Sequence, residues 1–168
     1  LLDGDHPAMP PLALERIVIF GASAGGHLAL MTGLRLPHDR VAGIVDIAGP
    51  SDLSTFWGVH GSERFGHLFG TPRATPAMLW AASPIAYVTK AAPPLLCVHS
   101  TNDELVPLSQ SELIAKAYAE HGRSCDIYSF AGEGKAHGIW QDSTPSPHLL
   151  LPIQDQIHSF ISQKTDPA

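Results

Sequence analysis

The chain has 168 residues, of which 44% are hydrophobic and 15% are charged, and its formal net charge is −6. A chain of this length buries about 70% of the surface that it exposes when unfolded, which favours one globular domain over disorder. The acidic balance argues against nucleic acid and against an anionic membrane as partners, since either requires a basic face. Two cysteines exclude a disulfide framework, and no spacing resembles a metal site, so we expect neither metal nor cofactor.

The longest uncharged stretch, residues 17–34, is long enough to suggest a membrane span. Its centre is polar and rich in glycine, which argues against a span and against a membrane partner. No basic region followed by an apolar one opens the sequence, so no signal peptide is visible and a cytoplasmic location is favoured. Because the chain starts at Leu1 without Met, we expect either that its start was removed or that it belongs to something longer.

The predicted elements alternate between strands and helices. Residues 1–15 are rich in proline and predict a loop or linker, and residues 51–73 predict an irregular segment rich in aromatics, Gly and His. The periodicity predicts strands at 16–20, 41–48, 95–99 and 125–130, and helices at 24–35, 76–82, 108–121 and 148–163. This alternation predicts an α/β fold, a mostly parallel sheet with helices on both faces. In such sheets the chemistry gathers beyond the carboxyl ends of the strands.

The first predicted strand runs directly into Gly21-Ala22-Ser23-Ala24-Gly25, and a helix follows. G-x-S-x-G between a strand and a helix is the pattern of a nucleophile elbow, whose tight turn exposes a strained serine. We expect a bulky residue at either flanking glycine to clash with the packing of strand and helix. The pattern predicts Ser23 as a nucleophile, and the alternative is a glycine-rich turn that only packs closely.

A serine hydroxyl needs a base to activate it and a third group to orient that base. Hydrolases with this arrangement carry the three residues in the order Ser, then Asp or Glu, then His. Asp103 follows the third predicted strand, and His137 follows the fourth. All three residues are therefore expected on one rim of the sheet, which predicts Asp103 and His137 as the partners of Ser23.

Other acidic residues and histidines compete for these roles. Asp52 follows the second strand and is the alternative group to orient the histidine, whereas Glu104 points elsewhere if Asp103 points inward. Asp46 lies inside a strand and predicts a structural or supporting role. For His27 in the elbow helix and His99 in the third strand, we expect packing or a hydrogen bond. For His60 and His67 in the aromatic segment, we expect exposure to solvent or a place in the pocket lining.

The segment from Gly21 to Ala29, G-A-S-A-G-G-H-L-A, resembles the elbow of α/β-hydrolase-fold esterases. More narrowly, it is similar to the BD-FAE-like group of carbohydrate (acetyl and feruloyl) esterases and arylformamidases. Residues 83–107, with Asp103 and the Val-Pro pair that ends the segment, fit the same group, as does His137-Gly138. The resemblance covers residues 16 to about 160 and implies a Ser-Asp-His esterase. One position departs, because Ser100 stands where a glycine commonly follows the strand histidine.

A larger departure lies before the elbow. The family has several strands there and a His-Gly-Gly loop that supplies one oxyanion donor, whereas only 22 residues precede Ser23 and none forms such a loop. The N–H of Ala24 remains as a donor, and losing the other typically costs about 10²–10³ in rate. The resemblance implies that the chain is the C-terminal part of a hydrolase domain. A second copy or a missing N-terminal segment is then expected to complete the sheet.

The resemblance and the motif together predict hydrolysis of a small-molecule ester, with no cofactor. Trp57, in the aromatic segment, and Trp140, three residues past His137, are predicted to shape the substrate pocket, with aromatic packing as the alternative. Two other functions stay open. One is a prolyl-oligopeptidase-like serine peptidase, and the other is a non-catalytic or inactive fragment that acts as a binding protein.

Overall fold

The computed structural model describes residues 16–60, 68–71, 74–131, 137, 140–141, 148–149 and 151–165, and the side chains of 57–60, 140–141 and 148–149 lie outside the description. In chain order the elements are β1 (Ile17–Ala22), α1 (Ala24–Gly33), β2 (Val41–Ile47), α2 (Leu53–His60), α3 (Pro76–Ala81), β3 (Leu95–Ser100), α4 (Ser109–Glu120), β4 (Cys125–Phe130), β5 (Trp140–Gln141), β6 (His148–Leu149) and α5 (Leu151–Thr165). Short 3₁₀ turns occupy His38–Arg40 and Pro84–Tyr87.

The central sheet is parallel and has the order β1-β2-β3-β4. Strands β2 and β3 are buried along their whole length, which explains why both are mainly apolar. The polar positions are Asp46 in β2 and His99 and Ser100 in β3. Because all four strands run the same way, their carboxyl ends share one rim. β5 and β6 form a separate antiparallel pair. The predicted α/β class is confirmed.

Helices cover both faces of this sheet. Successive side chains of a strand point to opposite faces, so Ile44 of β2 joins one apolar core and Val45 joins the other. The first core receives α1 and α4, and its members include Leu30, Ile114 and Tyr118. The second receives Ile153, Ile157 and Phe160 of α5. The sheet is therefore the middle of three layers, and its two central strands are buried from both sides.

Two predictions differ from the structure, one for the segment 51–73 and one for the start of the last helix. The prediction of an irregular segment over 51–73 is wrong for residues 53–60, because α2 begins at Leu53, and residues 61–67 and 72–73 lie outside the described ranges. Asp52 Oδ1 accepts a hydrogen bond from the Ser54 N–H at 2.9 Å at the start of this helix. Leu53 and Phe56 bury one face of α2 against Leu79. The last helix begins at Leu151 rather than at 148, because residues 148–149 pair with β5 instead.

The apolar stretch 17–34 divides into β1 and α1, as its polar centre indicated. In the part of the chain that the structure describes, no helix is long and apolar enough to cross a membrane. Within the described sheet, β1 pairs only with β2 and leaves its other edge without a strand. The carboxyl ends of β1, β3 and β4 hold the residues predicted for chemistry.

Candidate active site

Ser23 occupies the turn between β1 and α1 in a backbone conformation that non-glycine residues seldom adopt, with φ 54° and ψ −121°. Its N–H donates to Ile47 O at 2.8 Å, which fixes the turn to the end of β2. A Cβ on Gly21 would overlap the Gly25 carbonyl, so the first flanking glycine is required. A Cβ on Gly25 would meet no described atom within 4 Å, so the expected clash at that position is wrong.

The structure brings Ser23, His137 and Asp103 into one hydrogen-bonded chain. His137 Nδ1 lies 2.7 Å from Asp103 Oδ2, and His137 Nε2 lies 2.9 Å from Ser23 Oγ. A carboxylate oxygen only accepts, so Nδ1 carries the proton and Nε2 is left to accept from the serine hydroxyl. His137 can therefore take a proton from Ser23 without changing its partners.

The loop after β3 directs the Asp103 carboxylate. Oδ1 accepts hydrogen bonds from the N–H groups of Leu105 and Val106, both at 2.9 Å, which leaves Oδ2 for His137. The Asp103 side chain is fully buried, and that of His137 is 22% exposed. The Thr101 N–H donates to Phe130 O at 2.8 Å and joins the same loop to the end of β4. The acid is thus enclosed while the base faces the solvent side.

His99 is a buried histidine behind this loop, and the sequence predicted only packing or a hydrogen bond for it. Its Nε2 lies 2.8 Å from Val106 O, and its Nδ1 lies 2.8 Å from Ser111 Oγ. Burial lowers the pKa of His99. The ring is therefore neutral at pH 7. Its contacts with the loop that carries Asp103 could not be predicted from its position in an apolar strand.

The other residues predicted for the site are placed as follows. Ala24 is the exposed first residue of α1, where the helix offers no acceptor for its N–H. Asp52 caps α2, and Glu104 is exposed. Four predicted side chains lie outside the described ones. Trp57, His60 and Trp140 are described by their backbone alone, and His67 is not among the described residues.

Asp46 lies fully buried on β2, directly beneath the start of α1. Its Oδ1 accepts a hydrogen bond from the Gly49 N–H at 2.9 Å, and Oδ2 has no hydrogen-bond partner within the described ranges. A Cβ on Gly26 would overlap Oδ1, so this glycine is required by the carboxylate below it. Burial raises the pKa of Asp46 to about 8, and the Gly49 N–H opposes that rise. The supporting role predicted from its place inside a strand agrees with this contact.

Gln110 is a structural residue that the sequence pattern missed. It lies on the buried face of α4, and its Oε1 accepts from the N–H groups of Ser51 and Asp52, both at 2.9 Å. Its Nε2 donates to Thr55 Oγ1 at 2.9 Å. His27 ties the same region to α1, because its Nδ1 lies 2.9 Å from Pro50 O. The one signal in the sequence that could have identified Gln110 is that it is a polar residue on the inward face of an amphipathic helix.

Across the described residues, no group of three or more His, Cys, Asp or Glu side chains is arranged to hold a metal ion. The hydrogen bonds of the rim place a hydroxyl, an imidazole and a carboxylate in series, the arrangement that activates a serine for attack on a carbonyl.

The BD-FAE family model matches residues 11–118, which include the elbow and Asp103. The chain belongs to the BD-FAE family. The match covers well over half of the chain and confirms the resemblance drawn from its motifs. The matched region ends before His137, whose place rests on the geometry above.

Named relatives of this BD-FAE chain include both esterases and peptidases. Dipeptidyl aminopeptidase BIII of Pseudoxanthomonas mexicana is 32% identical over 74% of this chain and 19% of its own length. Esterase LipC of Mycobacterium tuberculosis is 24% identical over 88% of this chain and 41% of its own length. The solved acetyl ester-xyloside bifunctional hydrolase of Caldicellulosiruptor lactoaceticus is 27% identical, with a TM-score of 0.54 over 67% of this chain and 44% of its own. The chain thus spans less than half the length of each.

Proposed function

We propose that this chain hydrolyses carboxylic esters, with Ser23 as the nucleophile, His137 as the general base and Asp103 as the group that orients the base. The observation that carries the proposal is the unbroken hydrogen-bond chain from Ser23 Oγ through the His137 ring to Asp103 Oδ2. The strained backbone of Ser23 supports it, because such strain concentrates where a side chain must be presented to a substrate.

The proposed reaction begins when Ser23 Oγ attacks the ester carbonyl carbon while His137 Nε2 takes the hydroxyl proton. Asp103 stabilises the imidazolium that forms. The tetrahedral intermediate collapses, the C–O bond to the alcohol breaks, and His137 returns its proton to the departing oxygen. A water molecule then gives a proton to His137 and attacks the acyl carbon. The bond from that carbon to Ser23 Oγ breaks, His137 returns its proton to Oγ, and the acid is released.

The negative charge of the intermediate needs hydrogen-bond donors on the carbonyl oxygen. The N–H of Ala24 is one such donor in our proposal, because Ala24 is the first residue of α1. The positive end of the helix dipole also favours an anion there. A Cβ on Gly25 would meet none of the described atoms within 4 Å, which supports room for a substrate at the start of α1. We assign the first oxyanion donor to Ala24.

The family supports our proposal for the substrate class. Acetylated or feruloylated carbohydrate esters are the substrates that the BD-FAE resemblance implies, and the similar acetyl ester-xyloside hydrolase supports an acetylated sugar. Trp57 on α2 and Trp140 on β5 are our candidates for the pocket wall, because indole rings pack well against sugar and aromatic acyl groups.

A peptidase is the second candidate, and the 32% identity to a dipeptidyl aminopeptidase favours it. The two candidates share the nucleophile and the base, and they differ in the leaving group. An amide nitrogen must be protonated as it departs, whereas an alkoxide from an activated ester leaves readily. Ester and amide substrates with the same acyl group therefore separate the two candidates.

The test compares kcat/KM for p-nitrophenyl esters of increasing acyl length, an acetylated xyloside and a feruloylated sugar. It also compares dipeptidyl p-nitroanilides with the p-nitrophenyl esters of the same dipeptides. Ser23→Ala is measured beside Ser124→Ala, which removes an exposed serine in the turn before β4. We expect ester hydrolysis that Ser23→Ala reduces to background and Ser124→Ala leaves intact. Anilide turnover above ester turnover would instead support the peptidase. Ester turnover that survives Ser23→Ala would contradict the proposal.

A further inference from the structure

His99 stands out among the polar residues of β3 because its side chain is fully enclosed in the middle of the protein. It lies four residues before Asp103, and its Nε2 is 3.7 Å from Asp103 Oδ2. That distance is too long for a hydrogen bond, so His99 does not compete with His137 for this oxygen. Its influence on Asp103 has to pass through another group.

That group is the backbone of Val106. The carbonyl of Val106 only accepts, so His99 Nε2 carries the proton and donates to it at 2.8 Å. Ser111 Oγ on α4 then donates to His99 Nδ1, also at 2.8 Å, which selects this tautomer. The Val106 N–H in turn donates to Asp103 Oδ1 at 2.9 Å. Val106 therefore receives one hydrogen bond from His99 and gives one to the acid.

The contacts form one continuous series from α4 to the nucleophile. Its members, in order, are Ser111, His99, Val106, Asp103, His137 and Ser23. An apolar residue at 99 would fill the space but would leave the Val106 carbonyl buried without this donor. The turn 103–106 would then keep its own hydrogen bonds to Asp103 Oδ1 but lose its tie to β3, and Asp103 Oδ2 would align less well with His137.

We infer that His99 is a positioning residue for Asp103, because its Nε2–H fixes the 103–106 turn in the orientation that directs Oδ2 at His137. The inference rests on the proposed ester hydrolysis by Ser23. The titratable groups that influence His99 are Asp103, His137 and Glu112, and its own burial keeps the ring neutral. A neutral donor aligns the acid without adding a positive charge that would weaken the attraction between Asp103 and the imidazolium.

Two amide variants separate this role from simple packing. His99→Gln places an N–H donor near the Nε2 position and keeps the contact with Val106, whereas His99→Asn places its donor near Nδ1 and leaves only Ser111 within reach. His121→Asn is the matched control, because that exposed histidine at the end of α4 contacts Ala117 O and lies away from the rim. All variants are measured in the full chain, with p-nitrophenyl acetate.

We expect His99→Asn to lower kcat by about ten- to 10²-fold with little change in KM, as a small misplacement of a reacting group does. The acidic limb of its kcat/KM profile should move to lower pH, because a misdirected Asp103 holds the imidazolium less strongly. His99→Gln should recover most of kcat and the original limb, and His121→Asn should match the unmodified chain. A purely structural role would lower the folded fraction without moving the limb.

A second measurement keeps the inference testable if His99→Asn fails to fold or if no ester is turned over. The low-field proton resonance of His137 Nδ1–H reports its hydrogen bond to Asp103 without any substrate. We expect this resonance in the unmodified chain and in His99→Gln. A folded His99→Gln that lacks it, or a His99→Asn that keeps both the resonance and the unmodified pH profile, would overturn the inference. Absent ester turnover with the resonance intact would instead count against the proposed function alone.

Discussion

Gly21 and the carbonyl oxygen of Gly25 face each other across the turn that holds Ser23, and no space is left between them for a side chain on Gly21. The relationship is one-sided, because a Cβ on Gly25 would meet none of the described atoms within 4 Å. The two glycines of the G-x-S-x-G pattern therefore differ in their surroundings. The first permits close packing of strand and helix, and the second has no such close neighbour among the described residues.

Alanine at these two positions should have opposite effects on stability. Gly21→Ala should lower the free energy of unfolding by about 1–3 kcal/mol, the usual cost of overpacking. Gly25→Ala should leave it unchanged or raise it by up to about 1 kcal/mol, because alanine loses less backbone freedom in a helix. Urea denaturation of both variants measures the difference. Equal destabilisation by both would show that the second position is as crowded as the first.

The two candidate acids should respond very differently to amidation. Asp103→Asn keeps the shape of the side chain but favours the wrong tautomer of His137, and a loss of about 10⁴ in kcat is the known consequence in a serine triad. Asp52→Asn should cost less than about tenfold, because Asp52 caps α2 and Asn caps helices equally well. Steady-state kinetics on one ester decide between them, and the reverse ranking would give the orienting role to Asp52.

Asp46 should make the stability of the fold depend on pH. Burial raises its folded-state pKa from 3.8 to about 8, so its contribution is fully present below about pH 4 and is lost as the pH rises through 8. Between these values this contribution falls by about 1.4 kcal/mol per pH unit, the value for one proton. Asp46→Asn, which cannot ionise, should flatten the dependence of the unfolding free energy on pH.

The control for this prediction is Asp39→Asn, which removes an exposed carboxylate from a 3₁₀ turn. Urea denaturation of the three proteins at several pH values gives the three profiles. The Asp39→Asn profile should follow that of the unmodified chain. An Asp46→Asn profile with an unchanged slope would show that the buried carboxyl does not bind a proton more tightly in the folded protein.

The parallel sheet, the elbow and the placement of Asp103 and His137 near Ser23 could all be predicted, because each depends on local patterns and on the common direction of the strands. α2 could not be predicted, because the composition of 51–73 is aromatic and rich in glycine. The buried side chains among the described ones of this helix are Leu53 and Phe56. The positioning role that we infer for His99 could not be predicted from the sequence either. Its partners Val106 and Ser111 come together only when β3, its loop and α4 have folded.

The outer edge of β1 should govern the association of this chain. In the described sheet it has no neighbouring strand, and Ile17 and Phe20 are 42% and 50% exposed. Unprotected apolar edges pair with other chains. We propose that a second copy or a further polypeptide segment covers it, and we expect the 168-residue polypeptide alone to form dimers or larger species.

Size-exclusion chromatography with light scattering measures this association. Phe20→Lys should shift the distribution toward monomer, because a charged residue on the edge opposes pairing. Leu28→Lys is the matched control, since Leu28 is 63% exposed but lies on α1. A monodisperse monomer of the unmodified polypeptide would refute the predicted pairing, as would an equal shift by both lysine variants.

The most direct test of the proposed mechanism is covalent labelling with a fluorophosphonate, which reacts with a serine only where a neighbouring base has activated it. The labelled chain is digested, and the modified residue is located by mass spectrometry. We predict one adduct per chain, on Ser23, which Ser23→Ala abolishes and Ser124→Ala leaves unchanged. Labelling of another residue, or a folded chain whose Ser23 stays unmodified, would contradict the assignment of Ser23, His137 and Asp103 as a catalytic triad.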